Sequence, residues 1–491
     1  MKKGIIGIGL LLFIAGCYFF PYRTDIYSVK YSPVRMQNDF DIFREVLENA
    51  HPGLYTYTDK QEMDRCFDSV YQTLNEQIDI RAFHEKLSFV AAKIGCSHTN
   101  LYLPKAYYDT MVQRANFFPV PLVYVDGGLY VNSDMWDIPV GAHILSINGN
   151  SAENIMKKIA VYNVPDGRNK SYSLSAAAID FSYDYFLSFG ASENFVVEYA
   201  SPKSVGKEVG RVAATTLEKH LSQYNQYAYY FFPDEVGYDF EVVDSLHTAI
   251  LTLRSFSYST ATTFAAYKNF ITNSFALLQK DKDITNLVID VRNNTGGEYE
   301  NIFLLMRFLS KTPFREVDSA TVTFEKTPFT RYLEKDFADT EKPALDSMIK
   351  HEFCKAADGK NIMTEEENTL HRPHPSAFDG NLFVVTNSNV LSAASNFVAV
   401  IKDTKRGKII GDETGGGYNG HNGFTRVLYK LPNTQLQLEF SVIRVQHYLQ
   451  HKQLNKNGVQ PDFPVATGIE DVIDNQDPQM AFVMGQLISR D

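Results

Sequence analysis

The 491-residue chain has few cysteines, and their spacing excludes the common cysteine-built sites. The four are Cys17, Cys66, Cys96 and Cys354, and no two of them form a C-x-x-C pair. This pattern excludes a zinc ribbon and a thioredoxin-type redox site. It also implies no disulfide framework.

The chain also lacks a long block of Lys and Arg, and its formal net charge is −11. A nucleic-acid binder needs clustered positive charge to follow a phosphate backbone, so we do not expect nucleic acid as a partner. Metal-ligand spacing is missing as well. His371 and His374 flank Arg372-Pro373 in an expected loop, and we predict neither a metal nor an organic cofactor.

The composition is otherwise that of a folded protein. Hydrophobic residues make up 44% and aromatic residues 13% of the chain, which argues against disorder. A chain of this length exceeds one compact core, so two or three domains are expected.

The N-terminus carries an export signal in residues 1–22. Met1-Lys2-Lys3 precedes an apolar run from Gly4 to Gly16, as in a signal sequence. Ile14-Ala15-Gly16-Cys17 resembles the cleavage box of a bacterial lipoprotein, in which Cys17 would be lipidated. An uncleaved anchor helix is the alternative, because Tyr18-Phe19-Phe20 extends the apolar run. Either way, we expect a tethered protein of the cell envelope, on its periplasmic or extracellular face.

Periodicity predicts three structured regions in the remainder, the third of which is residues 245–470. Residues 30–105 show helical spacing, as at Phe40, Phe43 and Leu47, and predict a helical module. Residues 106–200 alternate as strands do, and the run from Pro139 to Asn150 resembles the strand and Asn-Gly turn of a PDZ domain. A generic β-hairpin gives the same pattern. Residues 201–245 are polar and carry no interpretable signal.

Residues 245–470 alternate short apolar strands with helical stretches. Strands are predicted at residues 249–253 and 286–291, and helices at residues 264–279 and 299–310. Such alternation is typical of an α/β domain with a largely parallel sheet.

The first motif that could take part in catalysis is Asn286-Leu-Val-Ile-Asp-Val-Arg-Asn-Asn-Thr-Gly-Gly297. Glycines at the end of a strand let backbone N–H groups point into a cavity and hold an oxyanion. A tight βα turn is the alternative. A phosphate-binding loop is disfavoured, because no Gly-Lys-Ser/Thr follows.

The second motif runs from Asn381 to Phe397 and places Ser392 between a strand and a helix. A serine there is exposed for attack, and the N-terminus of the helix favours developing negative charge. Taken alone, such a serine is more often a helix N-cap. An α/β-hydrolase esterase is improbable, because Gly-x-Ser-x-Gly is missing.

These two motifs are followed by Gly407-Lys-Ile-Ile-Gly-Asp-Glu-Thr-Gly-Gly-Gly417 and Asn457-Gly-Val-Gln-Pro-Asp462. In this order, the four resemble the catalytic domain of the C-terminal processing, or tail-specific, and tricorn-like serine peptidases. The resemblance implies a ClpP/crotonase-like α/β core. It assigns Ser392 as nucleophile, with the N–H of Ala393 and that of Gly296 or Gly297 as the oxyanion hole.

The resemblance also indicates the base. Tail-specific members use a lysine about 25 residues after the nucleophile, where this chain has Gly417. Lys402, Lys405 and Lys408 are nearer, but a solvated helix face explains them. Tricorn-like members take a histidine from an early Ser-His pair, which Ser97-His98 matches. Neutral imidazole can accept the serine proton at neutral pH, so His98 is the predicted base and Ser97 its support.

The third member of the site departs from the family pattern. An acidic residue is expected just before Gly458-Val-Gln-Pro-Asp462, yet that position holds no carboxylate. Asn455 is the nearest match, and an amide can orient a histidine. We therefore expect a serine endopeptidase that acts on peptide or protein substrates. A peptidase-fold protein of weak or no activity that binds peptides or apolar ligands is the alternative.

Overall fold

The structure is a computed structural model that describes residues 26–202, 204–227, 237–357, 359–453 and 457–488. Two predictions fall outside these ranges: the N-terminal signal or anchor with Cys17, and the role of Asn455. Within the described ranges, no helix has both the length and the apolar character needed to cross a bilayer. The fold is a mixed α/β arrangement of several packed units.

A helical unit comes first, as the apolar spacing predicts. Its elements are β1 Lys30–Tyr31, α1 Pro33–Ala50, α2 Lys60–Gln72, β2 Ile78–Asp79, α3 Ile80–Ile94 and β3 Thr99–Tyr102. α1 and α2 pack through Phe40, Phe43 and Phe67, whose ring centroids lie 6.0–6.5 Å apart. α3 ends at Gly95, whose φ of +69° suits glycine, and the chain then turns toward β3.

An antiparallel β-unit with its own core follows. Its elements are α4 Lys105–Val112, β4 Leu122–Val125, β5 Gly128–Val131, β6 His143–Ile147, β7 Asn150–Ser151, α5 Ala152–Ile159, α6 Lys170–Ile179, α7 Phe181–Phe189, β8 Asn194–Ala200, β9 Glu208–Ala213 and α8 Leu217–Tyr227. The strand order is β4-β5-β6-β8-β9, and β7 pairs with β6. Asn148 and Gly149, with φ of +49° and +78°, form the predicted tight turn between β6 and β7.

The third unit is built on a largely parallel sheet, and this prediction is confirmed. Its elements are β10 Tyr238–Val243, β11 Thr248–Leu253, α9 Ala261–Lys280, β12 Asn286–Asp290 and α10 Tyr299–Arg307. Farther along the chain, β18 Asn381–Thr386, α13 Ser392–Asp403, β19 Lys408–Gly411 and β22 Phe463–Pro464 complete it, followed by α14 Ile469–Ile473 and α15 Pro478–Ile488. The order is β10-β11-β12-β18-β19-β22, in which β10 alone is antiparallel among these pairs.

A second sheet packs beside the parallel one and was not predicted. Its elements and their neighbours are β13 Phe314–Arg315, β14 Ser319–Val322, α11 Lys335–Thr340, α12 Lys342–Glu352, β15 Phe353–Lys355, β16 Asn361–Met363, β17 Leu370–His371, β20 Gly420–Lys430 and β21 Gln437–Gln446. The strand order is β15-β16-β14-β21-β20, and β13 pairs separately with β17. β3 of the helical unit pairs with β21, so residues before position 103 are joined to the C-terminal half.

Candidate active site

The predicted nucleophile Ser392 is the first residue of α13, a few residues after the buried strand β18. Its φ is +49°, a left-handed conformation that serine rarely adopts. Such a backbone costs about 1–3 kcal/mol and persists only where the surroundings enforce it. The next residues, Ala393 and Ala394, are fully buried, and their small side chains let the helix approach the loop after β12.

That loop is tied to the nucleophile turn by Asn294. The side-chain NH2 of Asn294 donates to the Leu253 carbonyl at 3.1 Å. The backbone carbonyl of Asn294 accepts from the Leu391 N–H at 3.1 Å. Gly296, with φ of +105°, lies so close that an added Cβ would come 2.8 Å from Ser392 Cβ. The loop therefore needs glycine at this position, both for its backbone and for the space.

The two glycines of the loop differ in what their N–H groups do. The Gly296 N–H donates to Asn294 Oδ1 at 2.9 Å and is therefore occupied. Gly297 forms a parallel bridge with Phe256, made through the residues on either side of the glycine. In a parallel bridge, the N–H of the central residue points away from its partner. Gly297 lines the same cavity as Ser392, so its N–H is the better oxyanion candidate of the two.

Ala393 supplies the second candidate donor. It lies in the first turn of α13, where backbone N–H groups have no partner within the helix. A Cβ added to Gly296 would come 3.0 Å from the Ala393 nitrogen, which shows how closely the two segments meet. A helix N-terminus also favours negative charge.

His98 reaches Ser392 across 294 positions of sequence. Its Nε2 lies 3.1 Å from Ser392 Oγ. Its Nδ1 lies 3.0 Å from Ser97 Oγ. If Nε2 is to accept the proton of Ser392, Nδ1 must carry the ring hydrogen and donate it to Ser97 Oγ.

The surroundings of His98 favour the neutral ring. Burial lowers the pKa of His98 below its usual 6.5, while the carboxylates of Asp166 and Glu439 oppose that shift. Since burial is the largest cause, the imidazole is unprotonated at pH 7 and able to act as a base.

Ser392 and His98 open into a cavity of about 760 Å³. Its wall combines aromatic with charged side chains: Phe264, Phe303, Phe424, Glu298, Glu300 and Arg307. The volume is that of an ordinary small-ligand cleft, and it fits a few residues of an extended chain.

Part of the chain matches a known protein family. Residues 247–465 match the model of peptidase family S41. The chain carries an S41 peptidase domain. A search of curated proteins found no match.

Solved structures share the fold over nearly the whole chain. Mature CPAF matches with a TM-score of 0.60 at 15% identity, covering 94% of this chain and 98% of CPAF. Mature CPAF complexed with lactacystin gives a TM-score of 0.63 at 13% identity, covering 94% and 99%. The photosystem II D1 C-terminal processing protease covers 89% and 96% at 17% identity, with a TM-score of 0.41. The TM-scores of 0.60 and 0.63 show that this chain shares the fold of mature CPAF.

His98 ends a row of four stacked rings, of which the other three belong to the S41 domain. His421 lies 5.5 Å from His98 at an interplanar angle of 19°, and Tyr299 lies 6.0 Å from His421 at 18°. Phe424 follows at 4.6 Å and 14° and is half exposed at the cavity. The row holds the imidazole plane of His98 from one side.

Hydrogen bonds fix the tautomers behind this row. His447 Nδ1 must donate to the Tyr418 carbonyl, 2.7 Å away, which leaves its Nε2 as an acceptor. His421 Nδ1 therefore donates to His447 Nε2 at 2.9 Å, and His421 Nε2 accepts from the Tyr299 hydroxyl at 2.9 Å. Burial lowers the pKa of His447 to about 3 and that of His421 well below 6.5. The row therefore stays uncharged, and His98 is the ring of this row that lies within hydrogen-bond reach of Ser392.

Asp166 is the residue of this site that sequence reasoning missed. Its Oδ1 accepts the Ser97 N–H at 3.0 Å, and its carboxylate acts on the His98 pKa. In sequence, Asp166 stands in Val164-Pro-Asp-Gly167, which indicates only a turn. No local signal connects that turn with His98.

The three lysines that follow the predicted nucleophile in sequence do not contact Ser392. Lys402 is half-buried and pairs with Asp462 at 2.7 Å, while Lys405 and Lys408 are exposed. Asn455 lies outside the described residues. Close by in sequence, the Gly458 N–H donates to Glu413 Oε1 at 2.9 Å.

Proposed function

We propose that this protein is an exported, membrane-tethered serine endopeptidase that cleaves peptide bonds through an acyl-Ser392 intermediate, with His98 as general base. The observation that carries the proposal is the 3.1 Å separation of His98 Nε2 from Ser392 Oγ. A nucleophile and a base within hydrogen-bond reach are the minimum for this chemistry.

The mechanism follows from the geometry. His98 Nε2 takes the Ser392 proton while Oγ attacks the scissile carbonyl carbon. The N–H groups of Gly297 and Ala393 stabilise the oxyanion of the tetrahedral intermediate. His98 then gives its proton to the leaving amine, and water hydrolyses the acyl-enzyme with His98 again as base. No metal or organic cofactor is needed.

We assign the units as residues 30–105, a helical module; 106–200, a PDZ-like domain; and 245–470, a catalytic domain with a ClpP/crotonase-like core. The separate hydrophobic core around Phe118, Ile144 and Phe195 supports a distinct second domain. The Asn148-Gly149 turn after β6 supports its PDZ-like character. We propose that a protein with these three units acts on peptide or protein chains.

A serine-reactive fluorophosphonate probe tests the proposal. The purified parent protein should be labelled at one serine. The labelling rate of Ser392→Ala and of His98→Ala should be lower by at least ~100-fold. Ser441→Ala is the matched control, because Ser441 lines the same cavity and should keep the parent rate. A folded parent protein that resists the probe would favour the alternative of an inactive, ligand-binding member.

Cleavage itself needs a second measurement. The parent protein should release internal fragments from an unfolded protein substrate, as mass spectrometry can identify, and Ser392→Ala should release none. Removal of terminal residues alone would contradict the endopeptidase assignment.

A further inference from the structure

The strongest unused group near the site is the carboxylate of Asp166, which is fully buried. Oδ1 accepts the Ser97 N–H, but Oδ2 has no hydrogen-bond partner among the residues that the structure describes. A buried carboxylate with an unsatisfied oxygen is costly to the fold. Such a group therefore calls for a functional explanation.

The carboxylate is held firmly in place. The Asp166 N–H donates to the Gly415 carbonyl at 2.9 Å, and the next residue, Gly167, donates to the Gly95 carbonyl at 2.9 Å. Asn169, farther along the same loop, donates to the Thr414 carbonyl at 3.1 Å. The loop from the β-unit thus joins the turn that carries His98 to the glycine loop at 415–417.

The other charged and titratable groups near His98 are already satisfied or neutral. Glu439 pairs with Arg426 at 2.5 Å and accepts the Tyr102 hydroxyl at 3.0 Å. Arg444 lies over the Tyr57 ring, 5.8 Å from its centroid. The buried Cys96, Tyr57, Tyr172 and Tyr299 all have raised pKa values, and His421 has a lowered one, so all five are uncharged at pH 7.

We infer that Asp166 is the acidic positioning residue of this site and acts on His98 through Ser97. The inference rests on the proposed function, since it concerns the same Ser392 and His98. Asp166 holds the Ser97 backbone, and Ser97 Oγ accepts the Nδ1 hydrogen of His98. When His98 takes the Ser392 proton, the positive imidazolium is stabilised by the nearby carboxylate of Asp166.

Asp166→Asn separates this role from a structural one. The asparagine keeps an acceptor for the Ser97 N–H and removes the charge, while its NH2 group replaces Oδ2. We expect fluorophosphonate labelling of Ser392 to slow by about 10-fold to 100-fold. Because the Asp166 charge raises the pKa of His98, its loss should also move the acid limb of the labelling rate to lower pH.

Two further variants define the path. Glu439→Gln is the matched control and should slow labelling less than about 3-fold, because Arg426 already neutralises Glu439. Ser97→Ala should slow labelling like Asp166→Asn, and the double variant should be no slower than the slower single one, as expected of groups that act in series.

The outcomes are distinguishable. An unchanged rate and acid limb in Asp166→Asn, while His98→Ala is inactive, would overturn this inference alone. Labelling of His98→Ala at the parent rate would overturn the proposed function and the inference together. If Asp166→Asn and Asp166→Ser both lose their cooperative thermal transition, the carboxylate serves the fold, and the inference is wrong.

Discussion

At the scale of single residues, two side chains that line the cavity sit on unusual backbone. Ser392 and Phe424 have φ of +49° and +62°, which are uncommon for residues with side chains. Each such conformation must be enforced by its neighbours, as the Asn294 hydrogen bonds do for the nucleophile turn. The site therefore depends on a few residues whose size permits close backbone approach.

The two loop glycines should respond differently to substitution. In Gly296→Ala the new Cβ meets Ser392 Cβ at 2.8 Å, so the nucleophile must move. We expect probe labelling to slow by about 100-fold, as misplacement by an ångström does in other sites. The thermal midpoint should also fall, because alanine is strained at φ of +105°, but by less than in Gly297→Ala.

In Gly297→Ala the new Cβ would collide with the Phe256 backbone at 2.2 Å, and backbone cannot yield as a side chain can. We expect this variant to lose thermal stability as well as labelling. Gly149→Ala is a matched control, because its φ is also positive but open space surrounds it. Parent-like labelling in Gly296→Ala would contradict the close approach described here.

At the scale of elements, the short strand β3 positions the turn that carries His98, the proposed base. Its pairing with β21 sets Thr99 opposite Phe440, and the Ser441 N–H donates to the His98 carbonyl at 3.2 Å. Since bonded pairs alternate in an antiparallel ladder, Asn100 is the next residue whose N–H faces β21. A four-residue strand therefore decides whether His98 meets Ser392.

Asn100→Pro should displace His98, the proposed base, while leaving the S41 domain folded. Proline removes the N–H that pairs with β21, so the turn that carries His98 loosens. We expect labelling of Ser392 to fall at least ~10-fold, measured as the second-order rate with the probe. Asn100→Ala keeps that N–H and should stay within about 2-fold of the parent. Equal rates in the two variants would show that the β3 ladder is not what places His98.

At the scale of the whole molecule, buried neutral histidines make stability depend on pH. Burial lowers the pKa of His51 and of His447 to about 3. Below pH 6.5 the unfolded chain binds protons that the folded chain refuses, so the free energy of unfolding falls as pH falls. Each such histidine contributes a slope of about 1.4 kcal/mol per pH unit. Asp412, whose pKa burial raises to about 6, opposes the slope between about pH 6 and 4.

His51→Gln should therefore flatten this dependence. We expect the slope of the unfolding free energy between pH 6 and 4, from urea denaturation, to decrease by about 1.4 kcal/mol per pH unit. His220, whose burial lowers its pKa to about 4, offers a graded comparison. His220→Gln should flatten the slope above pH 4 but not below it. An unchanged slope in His51→Gln would contradict a neutral His51 in the folded state.

Membrane attachment is also a property of the whole molecule. The proposed lipoprotein signal predicts a mature chain that begins at acylated Cys17 and partitions with membranes. Mass spectrometry of the N-terminal peptide measures this directly, and Cys17→Ser should abolish the acyl mass. A mature chain that still contains residues 1–16 would show an anchor helix instead.

Local sequence was sufficient wherever local forces dominate. Apolar periodicity predicted the helical unit and the parallel strands at residues 249–253 and 286–291, because each buries a face set by its own spacing. Asn148-Gly149 predicted its turn, because both residues tolerate positive φ. The Ser-His pair and the serine that begins α13 could be found through family motifs, although their catalytic roles stay predictions.

Only the tertiary structure decided which distant groups meet. The second sheet was missed in part because β3, β14, β15 and β16 are only three or four residues long, too short to show alternation. β21 alternates polar and apolar residues from Gln437 to Val442, and this strand signal was overlooked. Asp166 was missed because its sequence context specifies only a turn. Its position beside Ser97 comes from the packing of the β-unit against the helical unit, through Gly95, and against the S41 domain, through Gly415. Periodicity and turn chemistry act within a few residues, whereas burial of a carboxylate beside a histidine depends on contacts that form only when separate units pack together.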